Sequence, residues 1–130
     1  MKTEIDELTE RVIGCCFKVH KTLGSGFLEK VYENALIVEL ERAGLRARQQ
    51  SPIAVNYEGR RVGEYLADVI VEDLVICELK VGDAIGKEHE VQLVNYLVAT
   101  GIDTGLLIHF GKSVTVKRKF RQHHVSKTHV

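Results

Sequence analysis

Asp68, Glu78 and Lys80 are the residues of this 130-residue chain with the clearest chemical content. Glu78 and Lys80 stand two apart in an apolar run, Leu74 to Val81, that reads as a strand, so both side chains project from one face. Asp68 lies in the preceding run, Val62 to Val71, at a distance from the turn that can set it across from Glu78. Two carboxylates converging beside an ammonium suit a Mg²⁺-dependent phosphodiesterase. Hard oxygen ligands hold the cation through one or two carboxylates plus water. The metal polarises a phosphoryl oxygen and acidifies its bound water, and a lysine can steer that water or offset developing charge.

Strand parity constrains this reading. Directly opposed residues of an antiparallel pair share a face. With a two-residue loop, Glu72-Asp73, Asp68 would oppose Cys77 and Glu78 would point the other way. A shared metal requires an odd loop, most simply Glu72-Asp73-Leu74 with Val71 paired to Val75, and the three-residue loop is the expectation. Val69, Val71, Val75, Cys77, Leu79 and Val81 then line one face, and Asp68, Ile70, Ile76, Glu78 and Lys80 the other. The competing reading is a hairpin with one wet face on which the three charges are solvated and ion-paired.

Further candidates stand on predicted helices. Gln92 and Tyr96 are four apart and stack on one helix face, where they can hold a nucleic-acid backbone or orient Lys80. Glu29 precedes Tyr32 near a helix start, where a carboxylate is favoured by the helix dipole in any case. His20, before a glycine break, is a candidate ligand or ligand-orienting donor, or a structural histidine.

The elements that must position these groups follow from hydrophobic periodicity. Ile5, Leu8, Val12, Cys15, Cys16, Val19 and Leu23 mark a first helix with Thr3 as its cap, ended by Gly24-Ser25-Gly26. A second helix is expected over Phe27 to Ala43, with Leu28, Val31, Tyr32, Ala35, Leu36, Val38 and Leu40 on a wide stripe and Gly44 as terminator. Leu45 to Gln50 and Ile53 to Tyr57 read as two short strands around Ser51-Pro52. Helical spacing returns from Lys87 to Thr100 through Val91, Val94, Leu97 and Val98. Leu106 to Phe110 and Val114 to Phe120 close the pattern as strands. No linker or repeat interrupts it, so the expectation is one α/β (α+β) domain over residues 1–130, a mixed central β-sheet flanked by helices.

Composition narrows the class. The chain is 45% hydrophobic and 28% charged, enough to bury roughly two thirds of its unfolded surface and unlike a disordered segment. No apolar run reaches the ~18 residues needed to cross a bilayer, and Met1-Lys2-Thr3-Glu4 does not read as a signal peptide. An odd count of three cysteines, two of them adjacent, suits a reducing cytoplasm and argues against zinc or an iron–sulfur cluster. Eighteen basic and eighteen acidic residues cancel, yet residues 112–130 hold six basic side chains and no acid. This basic strand and tail gives the candidate nucleic-acid contacts Lys112, Lys117, Arg118 and Lys119, and Tyr32 of the second helix is a further candidate; a solvated tail explains the same run. The spacing of His123, His124 and His129 resembles a metal site only superficially.

Gly26-x-x-Glu29-x-x-Tyr32 resembles the pattern of the GxxExxY proteins, small bacterial and archaeal chains. The similarity continues through Val19-His20, Gly44-Leu45, Gly63-Glu64-Tyr65, Ala67-Asp68, Glu78-Leu79-Lys80, Gln92 to Leu97, Gly105 to Ile108 and Phe110-Gly111, nearly the whole chain. That group is similar to a minimal PD-(D/E)xK nuclease with a restriction-endonuclease-like core. The resemblance implies Asp68 and Glu78 as metal carboxylates, Lys80 as catalytic lysine and Glu29 as the acid from the helix before the sheet. Gln92 and Tyr96 match the QxxxY element of RecB-like and Cas4-like nucleases, and His20 takes the place of an upstream histidine ligand. Ala67 stands where many members have proline, and the cluster cysteines of Cas4-like proteins are missing, so no iron–sulfur cluster is implied.

The leading expectation is therefore a nuclease cutting DNA, or RNA, in which Asp68, Glu78 and the Leu79 carbonyl bind Mg²⁺ or Mn²⁺, assisted by Glu29 or His20. A homodimer would supply a second active site. The alternative is an inactive nuclease-fold module that binds nucleic acid or protein.

Overall fold

The computed structural model describes residues 2–83 and 85–121. The elements run α1 (Glu4–Leu23), α2 (Glu29–Arg42), β1 (Ala47–Tyr57), β2 (Arg60–Val71), β3 (Val75–Val81), α3 (Lys87–Thr100), β4 (Thr104–Phe110) and β5 (Val114–Phe120). The strands form one five-stranded sheet in the order β1-β2-β3-β4-β5. β3 and β4 are parallel and joined through α3, and the other neighbours are antiparallel. This is the expected mixed sheet with flanking helices.

The sheet is covered on both faces. Leu8, Val12, Cys16 and Val19 of α1 and Tyr32, Leu36 and Leu40 of α2 pack on Val69, Val71, Val75, Cys77 and Leu79. Leu93, Tyr96 and Leu97 of α3 pack on Ile70, Ile76 and Leu107 from the other side. A strand covered on both faces is a continuous apolar run, and β3 fits that except at Glu78 and Lys80.

Local chemistry explains the helix ends. The Asp6 N–H donates to Thr3 Oγ1 at 3.1 Å and the Thr3 N–H to Asp6 Oδ2 at 3.3 Å, a reciprocal cap on α1. Gly44, just past α2, takes the left-handed φ of 77° that ends a helix, as its position predicts.

Three expectations are corrected. Ser51-Pro52 does not split the first strand: Pro52 pairs with Leu66 inside a continuous β1. β1 is an edge strand, where a residue without an N–H costs no ladder bond. α2 starts at Glu29 rather than Phe27, leaving Leu28 as its cap residue and exposed with Val38. α3 buries Leu93, Tyr96 and Leu97, while Val91 and Val98 face outward. The tail bearing His123, His124, Lys127 and His129 lies outside the described residues.

α3 approaches β4 closely because Gly105 lacks a side chain: a Cβ there would sit 2.9 Å from Leu93 Cδ1 and 3.0 Å from Cγ. Leu93 is fully buried and has little room to yield. Gly105→Ala is expected to destabilise the fold by about 1–3 kcal/mol, measured by urea unfolding; a neutral result would mean α3 is not seated this tightly.

Candidate active site

The β2–β3 hairpin has the odd loop that a shared site requires. Val71 pairs with Val75, Ile70 with Ile76 and Val69 with Cys77, so the same register carried one step further sets Asp68 opposite Glu78. Glu72 and Asp73 take φ of 54° and 55° to make the turn. The Glu72 N–H donates to the Arg46 carbonyl at 2.8 Å and the Arg46 N–H to Glu72 Oε2 at 2.6 Å.

At Asp68 the backbone ladder stops although both strands continue. Side chains take over its bonds: the Asp68 N–H donates to Glu78 Oε1 at 3.0 Å, and the Leu79 N–H donates to Asp68 Oδ2 at 2.8 Å. The two carboxylates thus wedge β2 from β3 and hold each other's strand. β2 changes faces here as well. Val69 and Val71 pack under α1 and α2, whereas Ala67 belongs to the α3 side and the Tyr65 ring lies 5.5 Å from that of Tyr96.

Charge is concentrated in this break. Glu78 is 6% exposed and Asp68 9%. Burial, then the Asp68 charge, push the Glu78 carboxyl up to about 8. Asp68 is raised by burial and by the Glu33 charge, against the Leu79 N–H and Lys80. Glu29, at the first turn of α2, is raised by burial and by Asp68 and lowered by Lys80, which places it in the same field. Tyr96 is pushed up to about 12 by burial and by Glu78 and Asp68, with a hydrogen bond from Gln92 acting the other way.

Asp68, Glu78, Lys80, Glu29, Gln92 and Tyr96 are thereby brought to one locality. Two buried carboxylates, both with raised proton affinity, suit a divalent cation, and they are hard oxygen donors of the kind Mg²⁺ or Mn²⁺ takes with water. Among the described residues no three His, Cys, Asp or Glu side chains are gathered as a ready-made metal cage. The candidate donors are therefore these two carboxylates, with the Leu79 carbonyl on the same strand as Glu78.

Other candidates fall elsewhere. His20 Nε2 lies 2.8 Å from the Gly111 carbonyl and the ring stacks by Phe110, so its contacts are with the end of β4. Tyr32 does not offer a nucleic-acid contact: it is 0% exposed, its hydroxyl donates to the Gly24 carbonyl at 2.6 Å, and its ring stacks on Phe110 at 4.6 Å. It ties the Gly24–Phe27 loop to the core. The basic strand is also largely committed. Lys117 and Lys119 pair with Glu90 at 2.7 and 3.1 Å, and Arg118 pairs with Asp6 at 3.1 Å and donates to Thr9 at 2.7 Å. Those partners belong to α1 and α3, which the linear charge run does not reveal. Lys112 is exposed in the β4–β5 turn. Cys16 and Cys77 are buried free thiols and Cys15 is half-buried; burial raises all three.

A polar group that sequence reasoning missed completes the site. Glu33 of α2, 1% exposed, accepts from Lys30 Nζ at 2.8 Å, Gln49 Nε2 at 2.7 Å and Gln50 Nε2 at 2.8 Å. Its one sequence signal is a charge three and seven residues before Leu36 and Leu40, on the stripe that helical spacing assigns to the core.

This fold is that of a nuclease core, and the chain belongs to the PD-(D/E)XK nuclease superfamily, whose family model matches residues 6–122. Members of that superfamily generally use a divalent metal such as Mg²⁺. A search of curated proteins finds no match. Among solved structures the chain is similar to SSO0001, with TM-score 0.57 and 16% identity over 75% of this chain and 52% of that one. The chain thus spans about half the length of SSO0001. It is also similar to an alkaline exonuclease (LHK-Exo) from Laribacter hongkongensis, with TM-score 0.55 and 12% identity over 94% of this chain and 73% of that one. At these identities the likeness is one of fold. Among the described residues no helix is long and apolar enough to cross a membrane.

The raised carboxyls have a direct consequence for stability. The folded state keeps a proton on Glu78 that the unfolded chain releases near its ordinary pKa of about 4.3. Stability without divalent metal is therefore full below that range and is lost as pH rises through about 8. Urea midpoints in chelator are expected to fall between about pH 5 and 8, and Glu78→Gln to flatten the fall and raise the pH 8 midpoint. A wild-type midpoint that rises over that interval would contradict the burial of the pair.

Proposed function

We propose that this chain is a divalent-metal-dependent nuclease of the GxxExxY group that hydrolyses phosphodiester bonds of nucleic acid, with DNA as the substrate. The observation that carries this reading is the buried Asp68–Glu78 pair in the break between β2 and β3, with Lys80 following on the same strand. Asp68, Glu78 and the Leu79 carbonyl would hold Mg²⁺ or Mn²⁺. Glu29 is the favoured additional acid, since it shares the field of Asp68 and Lys80 while His20 is engaged by Gly111. When bound, the metal supplies Lewis-acid activation of the phosphoryl group and a more acidic water.

The protein's own groups do the rest. The cross-bonds to the Asp68 and Leu79 N–H groups hold both carboxylates in place, so neither swings away as charge builds up. Lys80, two residues beyond Glu78 on the same face, donates to the attacking water or to a phosphate oxygen and offsets the added negative charge. Tyr96 keeps its proton to about pH 12 and so is a hydrogen-bond donor throughout the working range. With Gln92 it orients Lys80 or the substrate backbone, the part assigned to a QxxxY element. Lys112, exposed in the β4–β5 turn, is, among the described residues, the lysine of the basic run left for phosphate contact. Action in the cytoplasm and a homodimer are part of the same proposal.

The decisive experiment is calorimetric titration of Mn²⁺ into wild type, Asp68→Ala and Lys80→Ala, beside cleavage of labelled single-stranded and duplex DNA. Asp68→Ala is expected to lose the metal. Lys80→Ala should bind it normally and cleave at least ~100-fold more slowly, the scale of a positioned proton donor or acceptor. Wild type that neither binds millimolar Mn²⁺ nor cleaves either substrate would sink the nuclease reading and leave an inactive nuclease-fold binding module.

A further inference from the structure

Apart from a register shift at Val55/Asn56, the backbone of β1 departs from strand geometry at Gln50. Gln50 takes a φ of 49°, in the left-handed region that side chains other than glycine and asparagine seldom adopt. Its neighbours Gln49 and Ser51 pair normally with Val69 and Ala67, in the same register on either side. The residue that register sets opposite Gln50 is Asp68. Non-glycine residues held in this region cluster where a site needs them, because the surroundings must offset about 1–3 kcal/mol.

The Gln50 side chain shows what the distortion achieves. Its Nε2 lies 2.8 Å from Glu33 Oε1 and 3.4 Å from Asp68 Oδ1. A primary amide has two N–H groups, and here both face carboxylates, one on α2 and one on β2. Glu33 is itself anchored by Gln49 and Lys30, so it serves as a fixed post. Asp68 Oδ2 is taken by the Leu79 N–H, and among the described hydrogen bonds Oδ1 meets the Gln50 amide alone. Without that amide the Glu33 charge would face Asp68 directly, and the Leu79 N–H on Oδ2 would be left to orient the Asp68 carboxylate without a second hold at Oδ1.

We infer that Gln50, held by Glu33, is a positioning residue that aims Asp68 Oδ1 into the cleft. This rests on the nuclease reading, in which Asp68 is a metal ligand. The left-handed backbone provides an unusual control. Glycine takes φ of 49° freely and asparagine more readily than glutamine, and this relief offsets the lost amide contact to Glu33, which keeps Lys30 and Gln49, so Gln50→Gly and Gln50→Asn should fold about as well as wild type. Glycine removes the amide and asparagine keeps it on a stem one methylene shorter.

The test is Mn²⁺ calorimetry and thermal melting, in parallel, on wild type, Gln50→Asn and Gln50→Gly. Mn²⁺ affinity is expected to fall in the order Gln, Asn, Gly, by ~10-fold or more for glycine, the usual effect of losing a partner of a metal ligand. Melting temperature should stay level or run in the opposite order. Saturating Mn²⁺ should restore most cleavage in Gln50→Asn. Gln50→Gly that binds Mn²⁺ as tightly as wild type, or affinity losses that follow melting temperature downward, would overturn the inference while leaving the nuclease reading intact. Wild type that binds no Mn²⁺ overturns both, and that arm is read separately.

Discussion

Two hydrogen bonds, from the Asp68 N–H to Glu78 and from the Leu79 N–H to Asp68, are the interaction around which this molecule is arranged. They replace ladder bonds at the point where β2 and β3 separate. Below that point the strands zip together through Val69–Cys77, Ile70–Ile76 and Val71–Val75; above it they part and leave room for chemistry. Carboxylates can do this because each has two oxygens with several lone pairs, one to satisfy a backbone N–H and one to face the cleft.

Burying that pair is costly, since a charge taken out of water must be matched or neutralised. The rest of the fold makes the site buried and offsets part of the cost. β3 is covered by α1 and α2 on one side and α3 on the other, which is why Glu78 holds a proton so far above the ordinary range. α2 brings Glu29 and Glu33 toward Asp68 and so adds repulsion, while Lys80 and the Gln50 amide act against it. The locality is more acidic than basic, and the lysines and arginine of β5 are turned to Glu90 and Asp6. On the proposed reading a cation settles here before a phosphate does, and the anionic substrate approaches a site whose charge the metal has already offset.

Most of the scaffold was legible in the sequence because it depends on short-range patterning. The period of α1, the extent of α3, the cap at Thr3, the terminator Gly44, and the alternation through β2 and β3 mark the same elements that the structure contains. Parity alone required the odd loop at Glu72-Asp73-Leu74 if Asp68 and Glu78 were to meet. Where the reading failed, the missing information was about neighbours. Pro52 looks like a break until β1 is known to be an edge strand. Tyr32 looks like a surface contact until Phe110, from a distant strand, is stacked on it. The basic run of β5 looks like an open strip until α1 and α3 supply its acids.

What the chain determined by itself is therefore the placement of Asp68, Glu78 and Lys80, the carriers of the proposed chemistry, on strands whose spacing put the first two face to face. Side-chain type and local period are properties of consecutive residues, so they can be read in one dimension. Only the tertiary structure decided that the carboxylates would replace the ladder, that Glu33 would be buried behind them, and that Gln50 would leave strand geometry to bridge Glu33 and Asp68. Those features depend on the distance between α2, β1 and β2 and on how much water reaches the space between them. No local pattern encodes either quantity, because both arise when segments remote in sequence pack together.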